Sequence, residues 1–81
     1  MTMSKQIRAA RHLAGLSQAD ITAATGLSLP TIRRVESDLE VPVSESAVAK
    51  VRKALEKAGV IFQDENGDGP GVRLKKNRGK K

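Results

Sequence analysis

Two adjacent arginines, Arg33 and Arg34, are the residues of this chain best suited to recognising another molecule. A guanidinium group is planar and always charged, and its N–H donors fit phosphate oxygens or the acceptor atoms of a guanine edge. The same residue types also occur on ordinary solvated helix faces. Which of these two interpretations applies therefore depends on the secondary-structure elements that carry the two arginines.

Groups suited to catalysis or metal binding are scarce. His12 is the single histidine and cysteine is absent, which excludes disulfides and thiolate metal sites. Residues Asp64–Gly69 match the first half of a calcium-binding loop, but Lys75 occupies the twelfth position, where that loop requires an acid. We interpret this stretch as turn residues and expect a protein that is not an enzyme and has neither metal nor cofactor.

Length and charge narrow the class of protein. The chain has 81 residues, a net charge of +6 and one aromatic residue. We expect one domain with a small core of Ala, Val, Ile and Leu, which suits short packed helices. The positive charge favours a polyanionic partner such as nucleic acid. No apolar run approaches the ~20 residues of a membrane span, so we expect a soluble cytoplasmic protein without a membrane partner.

Apolar spacing and capping residues predict four helices before residue 60. Three serines are placed to cap the second, third and fourth helices: Ser17, Ser28 and Ser44. Asp20 resembles the acidic partner of a capping box for the second helix. The first helix carries an apolar stripe: Ile7, Ala10, Leu13 and Ala14.

The connection between the second and third helices consists of Gly26, Leu27 and the cap Ser28. Gly26 can adopt a left-handed backbone conformation without a Cβ clash, so we expect the third helix to cross the second at a steep angle. Ile32 and Val35 then face the core. The outward set is Leu29, Pro30, Thr31, Arg33 and Arg34. A helix held in this way can enter the major groove of DNA, which is about 12 Å wide.

Eight residues in this region have the types and spacing of the phage-repressor-like (Xre/Cro) helix-turn-helix family, and the resemblance covers about Lys5 to Leu55. These residues are Gln18, Ile21, Gly26, Leu27, Ser28, Ile32, Val35 and Glu36. The resemblance implies that Gln18 and Ser28 contact the DNA backbone. It implies that four residues face base edges: Leu29, Pro30, Arg33 and Arg34. It also implies an ion pair between Arg11 and Glu36 that joins the first helix to the third.

Three positions depart from the family pattern. Thr22 stands where alanine is usual, and its hydroxyl can bond to a carbonyl one turn earlier. Leu29 and Pro30 replace amide side chains, so we expect apolar contact with thymine methyl groups there. Of the two arginines, we expect Arg34 to contact a guanine and Arg33 a phosphate.

After Gly59 the pattern changes to that of a β-hairpin. An isolated hairpin is marginal in water, so its apolar side chains need a surface, either the fourth helix or a second subunit. We predict a dimer interface formed by Val60, Ile61, Phe62, Val72 and Leu74. The chain then divides into a helix-turn-helix domain (1–59), the hairpin (60–75) and a basic disordered tail (76–81).

These observations predict a mainly α fold of four to five helices with a short C-terminal β-hairpin. The predicted function is that of a bacterial or phage-derived transcriptional regulator. It would bind double-stranded DNA as a homodimer on an inverted repeat, with repression as the default, and it would lie on the nucleoid. The alternative is an antitoxin that also binds a toxin protein, and RNA polymerase is a further candidate partner. A general nucleoid protein would instead bind all sequences nearly equally.

Overall fold

The computed structural model describes residues 4–39, 41–63 and 69–75. Its elements in chain order are α1 (Ser4–Leu13), α2 (Gln18–Thr25), α3 (Leu29–Val35), α4 (Glu45–Lys57), β1 (Val60–Gln63) and β2 (Gly71–Leu74). This confirms the mainly α fold with a C-terminal hairpin, with four helices in the described ranges. The predicted basic tail, residues 76–81, and residues 64–68 of the predicted turn lie outside the described residues.

Helices α2, α3 and α4 begin after the three predicted capping serines. Each serine hydroxyl accepts a hydrogen bond from the backbone N–H three residues later. At α2 the capping box is complete, because Asp20 Oδ2 also accepts from the Ser17 backbone N–H at 2.8 Å. Helix α2 ends at Gly26, whose φ of 77° is left-handed and whose N–H donates to the Thr22 carbonyl. The predicted glycine corner therefore separates α2 from α3.

All four helices and β1 share one hydrophobic core. Its buried side chains are Ile7, Ala10, Ile21, Ile32, Val35, Ala47, Val51, Leu55, Val60 and Phe62. Helix α4 contacts each of the other three helices as well as β1. The predicted inward face of α3 is therefore confirmed. The predicted stripe of α1 is wrong at Leu13, which is the last residue of the helix and 42% exposed.

The hairpin packs on the helices of the same chain. Strands β1 and β2 are antiparallel, and Phe62 faces Val72 across the ladder while Val60 faces Leu74. Paired residues share one face of a sheet, and this face meets α1 and α4. The guanidinium of Arg52 lies 4.9 Å from the centre of the Phe62 ring. The hairpin thus completes the core of the domain.

This packing corrects the prediction that five hairpin side chains form a dimer interface. Val60 and Phe62 are buried in the subunit's own core, because α1 and α4 supply the apolar surface that the hairpin needs. Ile61 and Val72 are only partly buried, and Leu74 is exposed. Because Val72 also packs against the core, the interface prediction is restricted to Ile61 and Leu74.

A buried glutamine ties the hairpin to α1. Gln6 Nε2 donates to the carbonyl oxygens of Gln63, at 3.1 Å, and of Gly71, at 3.2 Å. Because these carbonyls belong to different strands, one side chain holds both strands against the helix. The sequence patterns did not single out Gln6. Its position one turn before Ala10, on the buried side of α1, was the available signal.

Candidate nucleic-acid interface

Helix α3 presents an exposed face on the side opposite the core. Ile32 and Val35 are buried. The exposed side chains are Pro30, Arg33 and Arg34, and those at the borders, Leu29 and Thr31, are partly buried. At 3.6 residues per turn, the exposed set lies opposite the two buried residues. The structure therefore places both arginines outward on a helix whose other face is anchored in the core.

The hydroxyl groups at the start of α3 pair with each other. Ser28 Oγ lies 2.8 Å from Thr31 Oγ1 and accepts from the Thr31 backbone N–H at 3.3 Å. One of the two hydroxyl protons is used in this contact, which leaves the other available to an acceptor. Ser28 is exposed, so the cap of α3 also offers a polar group beside the arginine face.

Arg11 and Glu36 form a buried bidentate ion pair. Arg11 Nε donates to Glu36 Oε2 at 2.7 Å, and Arg11 Nη2 donates to Oε1 at 3.1 Å. Arg11 Nη1 also donates to the Leu16 carbonyl at 3.0 Å. These contacts join the last turn of α1, the connection before α2 and the C-cap of α3. They fix the orientation of α3 with strong, charge-assisted hydrogen bonds.

Gln18, the first residue of α2, is linked to the same ion pair. Its Nε2 lies 3.2 Å from Glu36 Oε1, and its side chain is partly buried. No local pattern of residues indicates this contact, because Gln18 and Glu36 are far apart along the chain and belong to different segments. The structure therefore brings three predicted site residues, Arg11, Gln18 and Glu36, into one network.

A second ion pair links α1 to the loop after α3. Arg8 Nη2 lies 3.0 Å from Asp38 Oδ2, and the two side chains are 42% and 50% exposed. Exposed pairs of this kind contribute little to stability. The sequence patterns did not indicate this contact either.

The hydroxyl of Thr22 is buried and has no hydrogen-bond partner among the described residues. This contradicts the expectation that it bonds to a carbonyl one turn earlier. A threonine side chain in a helix adopts either of two χ1 rotamers, and only one of them brings the hydroxyl to that carbonyl. Thr25 makes the contact instead, since its Oγ1 donates to the Ile21 carbonyl at 2.7 Å and accepts from the Leu27 N–H at 3.2 Å.

We predict opposite effects for two threonine-to-valine substitutions in α2. Thr22→Val removes a buried, unpaired hydroxyl and should raise the free energy of unfolding by about 1 kcal/mol. Thr25→Val removes two hydrogen bonds and should lower it by about 1–2 kcal/mol. Urea unfolding followed by circular dichroism measures both. Equal losses in the two variants would contradict the assignment of Thr22 as unsatisfied.

We predict a pH-dependent contribution from the capping box. Hydrogen bonds from the Ser17 backbone N–H and, to a smaller extent, from the Ser17 hydroxyl lower the pKa of Asp20 below its usual value. A carboxylate with a depressed pKa in the folded state stabilises the fold above its unfolded pKa, and this contribution is lost as the pH falls through the folded pKa. Asp20→Asn should therefore melt at a lower temperature than the wild type near neutral pH. The difference should vanish in strong acid, and a constant difference across the titration would contradict this.

In the described part of the chain, the acidic and histidine side chains include no group of three or more that could hold a metal ion. None of the helices described is long and apolar enough to cross a bilayer.

The comparison with protein families gives a match that covers α2, the Gly26 corner and α3. A family model described as helix-turn-helix matches residues 7–59, from the first core residue of α1 to the glycine before β1. No curated protein matches the chain. The chain therefore belongs to the Xre/Cro-like helix-turn-helix family, and it is a DNA-binding transcriptional regulator.

Proposed function

We propose that the protein recognises a specific sequence in double-stranded DNA, binds an inverted-repeat operator as a homodimer and acts by default as a repressor. Helix α3 enters the major groove. Arg34 contacts a guanine, Arg33 contacts a phosphate, and Leu29 and Pro30 meet thymine methyl groups. Gln18, Ser28 and Thr31 contact the DNA beside them. Such binding places the protein on the nucleoid of a bacterial cytoplasm.

The observation that carries this proposal is the division of α3 into two faces. Its inner side chains, Ile32 and Val35, are buried, while Arg33 and Arg34 are exposed directly opposite them. The Arg11–Glu36 pair fixes the C-terminal end of the helix, and the Gly26 corner and Ser28 cap fix the other end. A helix anchored at both ends presents its outward side chains in a fixed geometry, which recognition of base edges requires.

The homodimer is proposed from the hairpin and from the geometry of helix-turn-helix dimers. Ile61 and Leu74 are the described apolar hairpin side chains that are neither buried nor packed against the core. A symmetric dimer joined through them would carry two α3 helices about one DNA turn, ~34 Å, apart. This arrangement calls for two half-sites in inverted orientation.

The alternative of an antitoxin, which would bind a toxin protein as well as DNA, is favoured by one surface feature. Leu39, Val41 and Val43 are exposed and line a depression of about 160 Å³ between α1, α3 and α4. Exposed apolar clusters mark protein contacts. Under this alternative, a toxin added to the purified protein should form a complex of higher mass that loses affinity when Leu39 is replaced by Ser.

The proposed function is tested by selecting bound duplexes from a random DNA library at physiological salt. We expect an enriched inverted repeat with a guanine in each half-site and half-site centres about 10 base pairs apart. The Arg33→Ala, Arg34→Ala double variant serves as the control and should enrich no sequence. Recovery of unenriched DNA by the wild type would contradict sequence-specific recognition, and recovery of isolated half-sites would contradict the homodimer.

A further inference from the structure

We propose that Glu36 is a positioning residue for DNA recognition, because it holds the side-chain amide of Gln18 in place before DNA binds. This inference rests on the proposed function, in which Gln18 contacts DNA. It assigns to the buried ion pair a role beyond fastening α1 to α3.

The geometry around the Glu36 carboxylate supports this role. Oε2 accepts from Arg11 Nε at 2.7 Å, while Oε1 accepts both from Arg11 Nη2 at 3.1 Å and from Gln18 Nε2 at 3.2 Å. Glu36 is only 3% exposed, so its carboxylate is enclosed by the protein and does not present itself to DNA. Any effect of Glu36 on recognition must therefore pass through a neighbour, and Gln18 is the neighbour for which a DNA contact is proposed.

The carboxylate is itself fixed, which allows it to act as an anchor. Arg11 holds both of its oxygens and is held in turn by the Leu16 carbonyl. A hydrogen bond to a charged carboxylate is stronger than one between neutral groups. The Gln18 amide is thus attached to a rigid point and not to a mobile surface group.

The anchored amide keeps the capacity to bind DNA. A glutamine amide has two N–H donors and one carbonyl oxygen. Within the described residues, the Gln18 side chain makes one hydrogen bond, which is the contact with Glu36. One N–H and the carbonyl oxygen thus remain for a phosphate or a base edge. Ordering a side chain with many rotamers during association costs roughly two- to tenfold in affinity, and prior attachment to Glu36 removes most of that cost.

A double-mutant cycle on DNA binding separates positioning from a purely structural role. The variants are Gln18→Ala, Glu36→Gln and the combination, and the probe is the duplex enriched by the selection. Glu36→Gln replaces the charged carboxylate by a neutral amide with one oxygen for three donors, so the hold on Gln18 is weakened. We expect this change to weaken binding roughly two- to tenfold more in the wild-type background than beside Gln18→Ala, where only its effect on the orientation of α3 remains. Equal weakening in both backgrounds would show that Glu36 acts only on the fold and would overturn the proposal.

A measurement on the wild-type protein keeps the inference testable if Glu36→Gln does not fold. In nuclear magnetic resonance spectra, the Gln18 side-chain amide should show close contacts to the Glu36 methylene protons and slow hydrogen exchange. The side chain of Gln63, which is exposed at the end of β1, is the matched control and should exchange faster. Exchange of the two amides at the same rate would overturn the proposal.

The outcomes distinguish this inference from the proposed function. A wild-type protein that selects no duplex counts against both. If the wild-type protein selects its duplex but Gln18→Ala binds that duplex equally well, the proposed role of Glu36 is contradicted and the proposed function is not. The same holds if the effects in the cycle are additive.

Discussion

Replacement of Glu36 by alanine is expected to lower the free energy of unfolding by about 3–5 kcal/mol. The substitution leaves the guanidinium of Arg11, which is 9% exposed, buried without its counter-ion. A small domain is stable by only roughly 5–15 kcal/mol, so this loss is a large part of the total. Urea unfolding of the wild type and the variant at low temperature, followed by helical circular dichroism, measures the difference.

The matched control is Asp38→Ala, which breaks the exposed ion pair with Arg8. Because water screens and solvates both of those side chains, the expected cost is about 0–1 kcal/mol. A double replacement of the buried pair, Arg11→Met with Glu36→Leu, should recover most of the loss, since no unpaired charge remains. Equal costs for Glu36→Ala and Asp38→Ala would contradict the interpretation of the Arg11–Glu36 pair as an internal link.

Replacement of Arg34 by alanine is expected to relax recognition at one base pair of each half-site. A bidentate contact between arginine and guanine provides about 1–3 kcal/mol of discrimination, or roughly a 5- to 150-fold preference. The variant should therefore bind the selected duplex more weakly than the wild type does. It should bind duplexes in which that guanine is replaced about as well as it binds the selected duplex. Fluorescence anisotropy with the selected duplex and its single-base variants provides the measurement.

Two further arginine variants serve as controls for Arg34→Ala. Arg33→Ala should weaken binding to all sequences alike and reduce the slope of log affinity against log salt by about 0.9, because a phosphate contact is lost. Arg73→Ala, in which an exposed strand residue of the hairpin is changed, should leave the base preference intact. A base preference in Arg34→Ala identical to that of the wild type would refute the assignment of Arg34.

The helical part of the fold could be predicted because its determinants are local. A serine cap, a glycine corner and apolar residues at helical spacing each act within a few residues. They predicted the starts of α2, α3 and α4, the left-handed Gly26, and the inward direction of Ile32 and Val35. The outward face of α3 followed from the same spacing, so the exposure of Arg33 and Arg34 was also predictable.

The features that the sequence did not predict depend on contacts between distant segments. Alternation along the hairpin showed that it has two faces, but whether one of them meets its own helices or another subunit depends on the path of the chain. Val60 and Phe62 were misplaced for this reason. The link from Gln18 to Glu36 and the unpaired hydroxyl of Thr22 likewise depend on tertiary placement and on rotamer choice, which a pattern of residue types does not specify.

Amide chemical-shift mapping tests whether the outward face of α3 lies in the DNA groove. The ¹⁵N-labelled protein would be titrated with the selected duplex and with a scrambled duplex of equal length and composition. We predict that the selected duplex causes its largest shifts at Gln18 and from Ser28 to Arg34, and that the scrambled duplex does not reproduce them. Shifts confined to the hairpin and the basic C-terminal residues, with α3 unchanged, would contradict the entry of α3 into the groove.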